Sequence, residues 1–190
     1  GMGYIGPEKA WKDYRLVVEY RWGVKTDGSK TVRNSGILIH ATGPEGGAGK
    51  GAWMASIEVQ LAQGCVGDLI PIRGQDVAVS FAGETALGSD KRPRWSKGGA
   101  PAVYTGKQFW WSKHEAGFKE LLDTRGKDDV ESPPGEWTKV ELVCRGARVT
   151  VIVNGTTVNE VSDASPAAGR ILLQNEGYEI FFKTFEIRPL

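Results

Sequence analysis

At 190 residues and a formal net charge of +1, the chain has neither the basic excess of a nucleic-acid binder nor an acidic tail. A neutral or weakly polar ligand is the default, with no nucleic acid as partner. No run approaches the ~20 apolar residues that cross a bilayer, so no membrane span is expected. The length suits one well-cored domain over residues 1–190, and 26 glycines suit a turn-rich β-protein. Gly1-Met2 reads as an expression remnant, so the natural N-terminus is expected to have been removed.

Leu16, Val18, Tyr20 and Trp22 alternate with Arg15, Val17, Glu19 and Arg21, which predicts a first strand. Arg33 to His40 is predicted as the next, apolar on both sides at Ile37, Leu38 and Ile39 as near a sheet centre. After a glycine-rich loop (Gly43 to Gly51), Ser56 to Leu61 alternates sharply, Ile57, Val59 and Leu61 against Ser56, Glu58 and Gln60. Leu69 to Ile72 and Val77 to Phe81 are shorter strand candidates.

From about 83 to 134 the pattern dissolves into a long loop excursion that carries Trp95, Trp110 and Trp111, with a helical turn expected only at Ala116 to Leu122. Order returns with Val140, Leu142 and Cys144 on one face of a strand and Val149, Val151 and Val153 on one face of the next. Asn154-Gly155 then supplies a two-residue turn that tolerates positive φ, and a third strand, Thr156 to Val161, folds back. Such a meander, greasy on one face and wet on the other, gives an all-β sandwich. In the last element Ile180 and Phe182 have opposite parity to Phe185 and Ile187, which predicts a β-bulge near Lys183-Thr184.

Candidate chemistry comes from polar residues on strands. Glu58 and Gln60, two apart, share a face, and His40 ends the preceding strand. If those strands are neighbours, the imidazole and carboxylate form a base with its orienting partner, or ligands for a divalent metal ion. The plainer alternative makes Glu58 and Gln60 a solvated strand face and His40 a satisfied strand-end residue. Trp53, Trp95, Trp110 and Trp111 sit in loops or at strand ends; together they suggest a platform for sugar rings, although any one of them could simply pin a loop. Lys91 to Arg94 reads as a solvated loop or as a source of arginines for sugar hydroxyls, and His114 beside Glu115 is a weaker candidate than His40. Cys65 and Cys144 are expected as free thiols rather than a disulfide; with two histidines and no Cys-x-x-Cys, no structural zinc site is expected.

Five segments in order carry a family resemblance: residues 33–44, 53–61, the glycine-flanked turn 64–68, Asp129 to Trp137, and Gly169 to Gly177. Together they resemble the 3-keto-disaccharide hydrolase domain family, once a domain of unknown function and often labelled a glycosyl hydrolase. The resemblance runs from about Lys12 to Ile187. Two departures stand out: Thr138 replaces the usual Asn after Glu-Trp, and Phe-Lys-Thr-Phe (182–185) replaces Phe-Arg-Asn-Ile. The family commonly has a further N-terminal strand region, and this chain is expected to begin after it.

The resemblance implies a concanavalin A-like, two-sheet antiparallel jelly roll with a carbohydrate on its concave face, in a periplasmic or secreted setting. It implies cleavage of glycosides oxidised at C3, through removal of the C2 proton, expulsion of the C1 substituent and addition of water. Carried onto this chain, Glu58 and His40 are the candidate base or metal ligands and Gln60 the orienting group. Arg33, Asn34, Trp53, Trp110 and Trp111 are the candidate substrate contacts. No metal is assigned and no cofactor is certain. A non-catalytic carbohydrate-binding module is the alternative. A conventional glycosidase is a third reading and needs a second carboxylate, with Glu141 or Asp68 as candidates.

Overall fold

The computed structural model describes residues 1–190 and contains thirteen strands. In chain order they are β1 (Met2–Ile5), β2 (Tyr14–Trp22), β3 (Gly36–Thr42), β4 (Ala55–Gln60), β5 (Leu69–Ile72), β6 (Ser80–Leu87) and β7 (Pro93–Trp95). They continue with β8 (Ala100–Tyr104), β9 (Thr138–Arg145), β10 (Arg148–Val153), β11 (Thr156–Ser165), β12 (Arg170–Glu176) and β13 (Ile180–Pro189). The first sheet has the order β1-β12-β3-β4-β5; the second has β13-β2-β9-β10-β11-β6-β7, with β8 also paired to β6. All pairings between these strands are antiparallel.

Side-chain parity builds the interior. Leu16, Val18, Val140, Leu142, Val149, Val151 and Val153 of the larger sheet face Ile37, Ile39, Ile57, Val59 and Ile171 of the smaller one, all fully buried in a single cluster of 30 residues. Register holds the rows together: Leu142 lies opposite both Val151 and Leu16, and Val140 opposite Val153 and Val18. The turn after β10 has Asn154 at φ 46° and Gly155 at φ 83°, as a two-residue hairpin requires. The bulge in β13 falls where the parity break places it: Phe182 pairs with Tyr20 and Thr184 with Glu19, so Lys183 is the extra residue. Its ammonium reaches Glu19 at 2.9 Å. Both cysteines are free and buried.

Two expectations change, and one strand is added. The excursion holds real strand: β6 runs to Leu87, not Phe81, and β7 and β8 add to its edge. Ala116 to Leu122 forms turns and no helix; the sole helical element is a single 3₁₀ turn at Gly49–Gly51. Residues 2–5 form β1 on the edge beside β12, although Met-Gly-Tyr-Ile is too short to show a period.

Glu131, from the loop before β9, brings a carboxyl into the apolar layer. One oxygen, Oε1, accepts from both Tyr20 Oη (2.8 Å) and Trp22 Nε1 (2.7 Å). Burial and then Asp129 push Glu131 up to about 8. A carboxyl raised in the folded state stabilises most below its unfolded value of 4.5 and loses that contribution as pH rises through about 8. Glu131→Gln, which keeps an amide oxygen for both donors, should therefore melt close to wild type at acidic pH and gain on it as pH rises. Glu131→Ala strands two buried donors and should cost about 2–5 kcal/mol at every pH. Thermal melts of both variants between about pH 5 and pH 9 check this; a Gln variant whose difference from wild type is independent of pH would contradict it.

Candidate active site on the outer face of the smaller sheet

The residues of opposite parity on the smaller sheet point away from the core. At one end they are apolar: Leu38 and Leu172 pack with Ala41, Ala48, Trp53 and Met54 in a cluster of their own. Toward the other end they turn polar. Gly36 pairs with Gln60 on one side, and the register Leu172↔Leu38, Leu173↔Ile37 brings Gln174 alongside on the other. One row further lie Asn34 and Glu176, and Glu58 sits opposite Leu38.

These side chains form one connected array. Glu176 is held by two amides: Asn34 Nδ2 donates to Oε2 at 2.6 Å and Gln174 Nε2 to Oε1 at 2.9 Å. Gln60 Oε1 accepts from the backbone of Leu61 (2.9 Å) and Ala62 (3.1 Å), which fixes its amide at the strand end. Gly36 is needed for close approach: a Cβ there would lie 2.5 Å from Gln174 Oε1 and 2.7 Å from Glu58 Oε1. Those two oxygens converge over the glycine, and neither has a hydrogen-bond partner within the protein. Two acceptors aimed at one space call for a proton between them. Glu58 can supply it, because burial and then Glu176 push its carboxyl up to about 8. Burial raises Glu176 as well, against the lowering effect of Asn34.

Asn34, Gln60 and Glu176 line a cleft of about 290 Å³, at the lower end of small-molecule pockets (~300–1,000 Å³). Asp27, Thr31 and Tyr178 also line it, and Ser29, Thr31 and Tyr178 share a knot of hydroxyl hydrogen bonds of 2.7–2.8 Å. Ala62, Cys65, Gln108 and Glu120 contribute further lining.

The structure therefore gathers Glu58, Gln60 and Asn34 but not the rest of the expected set. His40 is the extra residue of a bulge in β3, at φ 54°, and the bulge resets the alternation so that Ala41, not His40, follows Leu38 to the outer face. The imidazole lies edge-on to the core residue Tyr14 at 6.0 Å and uses Nδ1 on the Pro166 carbonyl at 2.9 Å. It cannot share a proton or a metal ion with Glu58 across the sheet. Arg33 is buried and committed to Asp123, at 2.9 Å and 3.5 Å, pinning the 123 loop. The tryptophans do not form a platform: Trp111 is in the main core, Trp53 in the apolar outer cluster, and Trp110 is stacked on His114 at 4.2 Å with Arg92 and Arg94 near its ring. Each pins a loop. Glu141 lies between Arg15 and Lys139 on the larger sheet, and fully buried Asp68 accepts from Trp111 N and Gln108 Nε2, so neither partners Glu58.

The acidic partner is Glu176, which lies within Gly169 to Gly177, one of the five segments that carry the family resemblance, and is not among the expected site residues. Leu172, Gln174 and Glu176 alternate as Ser56, Glu58 and Gln60 do, but with charge only at the strand's end, where a solvated terminus is the ordinary expectation.

A two-sheet antiparallel sandwich with a polar, carboxyl-lined cleft on one outer face has the jelly-roll architecture of carbohydrate-active and lectin-like domains. The chain belongs to the family of 3-keto-alpha-glucoside-1,2-lyase-like domains, whose model matches residues 1–188. Among solved structures it is similar to a glycosyl hydrolase candidate from Parabacteroides distasonis, with TM-score 0.55 and 20% identity over 100% of this chain and 84% of that one. A second candidate from the same organism gives 0.50 and 16%, over 96% and 74%. The carbohydrate-binding module CBM66 from Bacillus subtilis gives 0.56 and 10%, over 99% and 82%. No curated protein matches the chain.

The coupling of the two carboxyls is measurable. Carbon-13 NMR should show Glu58 titrating near 8, and Glu176→Gln should lower that value by removing the neighbouring negative charge while leaving burial in place. A Glu58 midpoint in the ordinary carboxylate range, or one indifferent to Glu176→Gln, would refute the array.

Proposed function

We propose that the protein cleaves 3-keto-glycosides in this cleft, with Glu176 as the base and Glu58 as the acid. The observation that supports this most is the pairing of a cleft-lining carboxylate clamped by two amides with a second carboxyl that burial keeps protonated. A ketone at C3 acidifies the C2 proton. Glu176 takes that proton, the C2–H electron pair moves into an enolate, and its collapse breaks the C1–O bond. The departing oxygen receives a proton that comes from Glu58, which stands next to the cleft rather than in its lining, by way of the cleft's solvent. Water then adds across the resulting double bond, hydroxyl to C1 and hydrogen to C2, completing net hydrolysis. Gln60, its oxygen already tied to backbone, presents its amide nitrogen to the C3 oxygen as the enolate develops. The clamp on Glu176 serves as orientation: both its oxygens are fixed, so the remaining lone pairs have defined directions.

A non-catalytic sugar-binding module is the competing reading, favoured by the similarity in fold to CBM66. The readings part over Glu176, since binding alone does not require a base. On a panel of 3-keto-glycosides and their unoxidised parents, wild type should cleave only the oxidised sugars. Glu176→Gln should lower kcat/KM by about 10²–10⁴-fold while sugar binding by calorimetry persists. The pH profile should be bell-shaped, rising as Glu176 ionises through its raised pKa and falling as Glu58 loses its proton near 8. Cleavage of the parents instead would overturn the mechanism. Binding without cleavage of any sugar would establish the module.

A further inference from the structure

A second group of chemistry-bearing side chains lies in the wall of the same cleft, and the reaction above does not use it. The turn after β4 folds on itself through Cys65 N to Ala62 O (2.9 Å) and Asp68 N to Cys65 O (3.1 Å), which puts Cys65 and Asp68 three residues apart on one tight loop. His114 reaches them from the long excursion. Its Nε2 stands 3.3 Å from Cys65 Sγ, and one ligand atom each from Cys65, Asp68 and His114 falls within 4.8 Å of the others. We propose that these three side chains bind a single zinc-type divalent cation in the cleft wall, with a fourth position left for water or a ligand oxygen.

Four observations support the site. The first is spacing: tetrahedral zinc with Zn–S near 2.3 Å and Zn–N near 2.0–2.1 Å sets its sulfur and nitrogen ligands about 3.5 Å apart. The 3.3 Å between Cys65 and His114 is close to that edge, so an ion needs only a small opening of the pair. The second is donor type: one thiol, one imidazole and one carboxylate form a mixed S, N, O set that suits a borderline-soft ion rather than magnesium or calcium. The third is support. Asp68 is oriented by Trp111 N (2.7 Å) and Gln108 Nε2 (2.6 Å), and each carboxylate oxygen keeps a lone pair beyond those bonds. The His114 ring is stacked on Trp110 and its backbone carbonyl is held by Arg94 Nε at 2.6 Å. His114 Nδ1 has no partner within the protein, so that nitrogen is free to carry the ring proton and leave Nε2 bare for a metal.

The fourth is charge. A thiolate and a carboxylate together balance a dication, which makes a buried ion affordable where either anion alone would not be. Arg94 and Arg92 disfavour positive charge at His114, and the Asp90 carboxylate, paired with Arg94 at 2.8 Å and 3.1 Å, offsets part of that, so the two anionic ligands have to outweigh the remainder. The absence of Cys-x-x-Cys argues only against a closed structural site of four protein ligands. Three protein ligands with one position open are the pattern of zinc sites that engage a ligand. Cys65 and Gln108 both line the cleft, which places the ion beside whatever the cleft holds. The site stands whether or not that ligand is a 3-keto-sugar.

The test uses the full chain, stripped with chelator and titrated with cobalt(II) and with zinc. Cobalt should produce a thiolate-to-metal charge-transfer band that saturates at one equivalent and is displaced by zinc. Zinc at about a hundredfold excess over Kd should raise Tm by roughly 5–10 °C. The chain has two cysteines, and Cys144 lies in the core between the sheets. Cys144→Ser should keep the cobalt band, whereas Cys65→Ser and His114→Ala should lose both the band and the zinc-induced rise in Tm. If either of the latter variants fails to fold, wild type and Cys144→Ser decide alone, because Cys65 is then the only thiol left. No band in wild type, or a band lost with Cys144→Ser, would overturn the proposal.

Discussion

Alternating side chains and a closed apolar layer between two sheets decide where every polar group of this protein can go. Thirty buried residues from both sheets and the loops that close over them make one interior, and it tolerates charge only where donors come with it. A residue's parity on its strand therefore decides between burial among valines and a place on an outer face. Glu58, Gln60, Gln174 and Glu176 are outward because Ile57, Val59, Ile171 and Leu173 are inward. The cleft is in this sense a by-product of the core: the same strands that seal the interior present its polar complement on the far side.

This explains what the sequence makes legible and what it hides. The meander, the Asn154-Gly155 turn and the Lys183 bulge are consequences of period and turn chemistry within one or two adjacent strands, so they can be read from a short window. The placement of His40 depends on one backbone angle. Simple alternation puts it with Leu38 and Glu58; a single extra residue in β3 turns it inward to Tyr14. Nothing in Ile-Leu-Ile-His-Ala-Thr marks the bulge, because a positive φ at a non-glycine residue leaves no trace in composition. The tryptophans failed for a different reason. Indoles are large, and a long excursion with little periodicity of its own has to be fastened to the sandwich, so Trp110 and Trp111 are spent on anchoring. Asn34 and Glu176, 142 residues apart, meet only because β12 crosses to lie beside β3, and such a pairing of distant strands is invisible to spacing.

Buried carboxyls also show why a raised pKa alone does not mark function. Glu58 and Glu131 are both pushed up to about 8, chiefly by burial and then by an acidic neighbour. Their surroundings differ in kind. Glu131 Oε1 accepts from Tyr20 and Trp22 and ties the loop before β9 to the core; its hydrogen-bond needs at that oxygen are met. Glu58 Oε1 has no partner, faces another unpartnered oxygen over a glycine that a methyl group could not replace without displacing both, and stands beside a cleft. A satisfied buried acid is structure. An unsatisfied one whose neighbour lines a cavity has no such structural return, which makes it a candidate for chemistry.

The cleft wall is a different case. Asp68 is buried and raised to about 8, but Trp111 and Gln108 donate to its two oxygens, so hydrogen bonding does not set it apart; its company does, a thiol and an imidazole within ligand distance. A loop anchor could be made from Trp111 and its neighbours in the core without any of the three. One small space is thus lined by a member of each array, Glu176 of the Glu58–Glu176 pair and Cys65 of the Cys65–Asp68–His114 group, and each array is positioned by the core behind it. A ligand in a cleft of this volume that reaches Glu176 lies close to Cys65 as well, since both line it. The proposed proton chemistry and the proposed metal ion would therefore bear on one bound molecule, not on two.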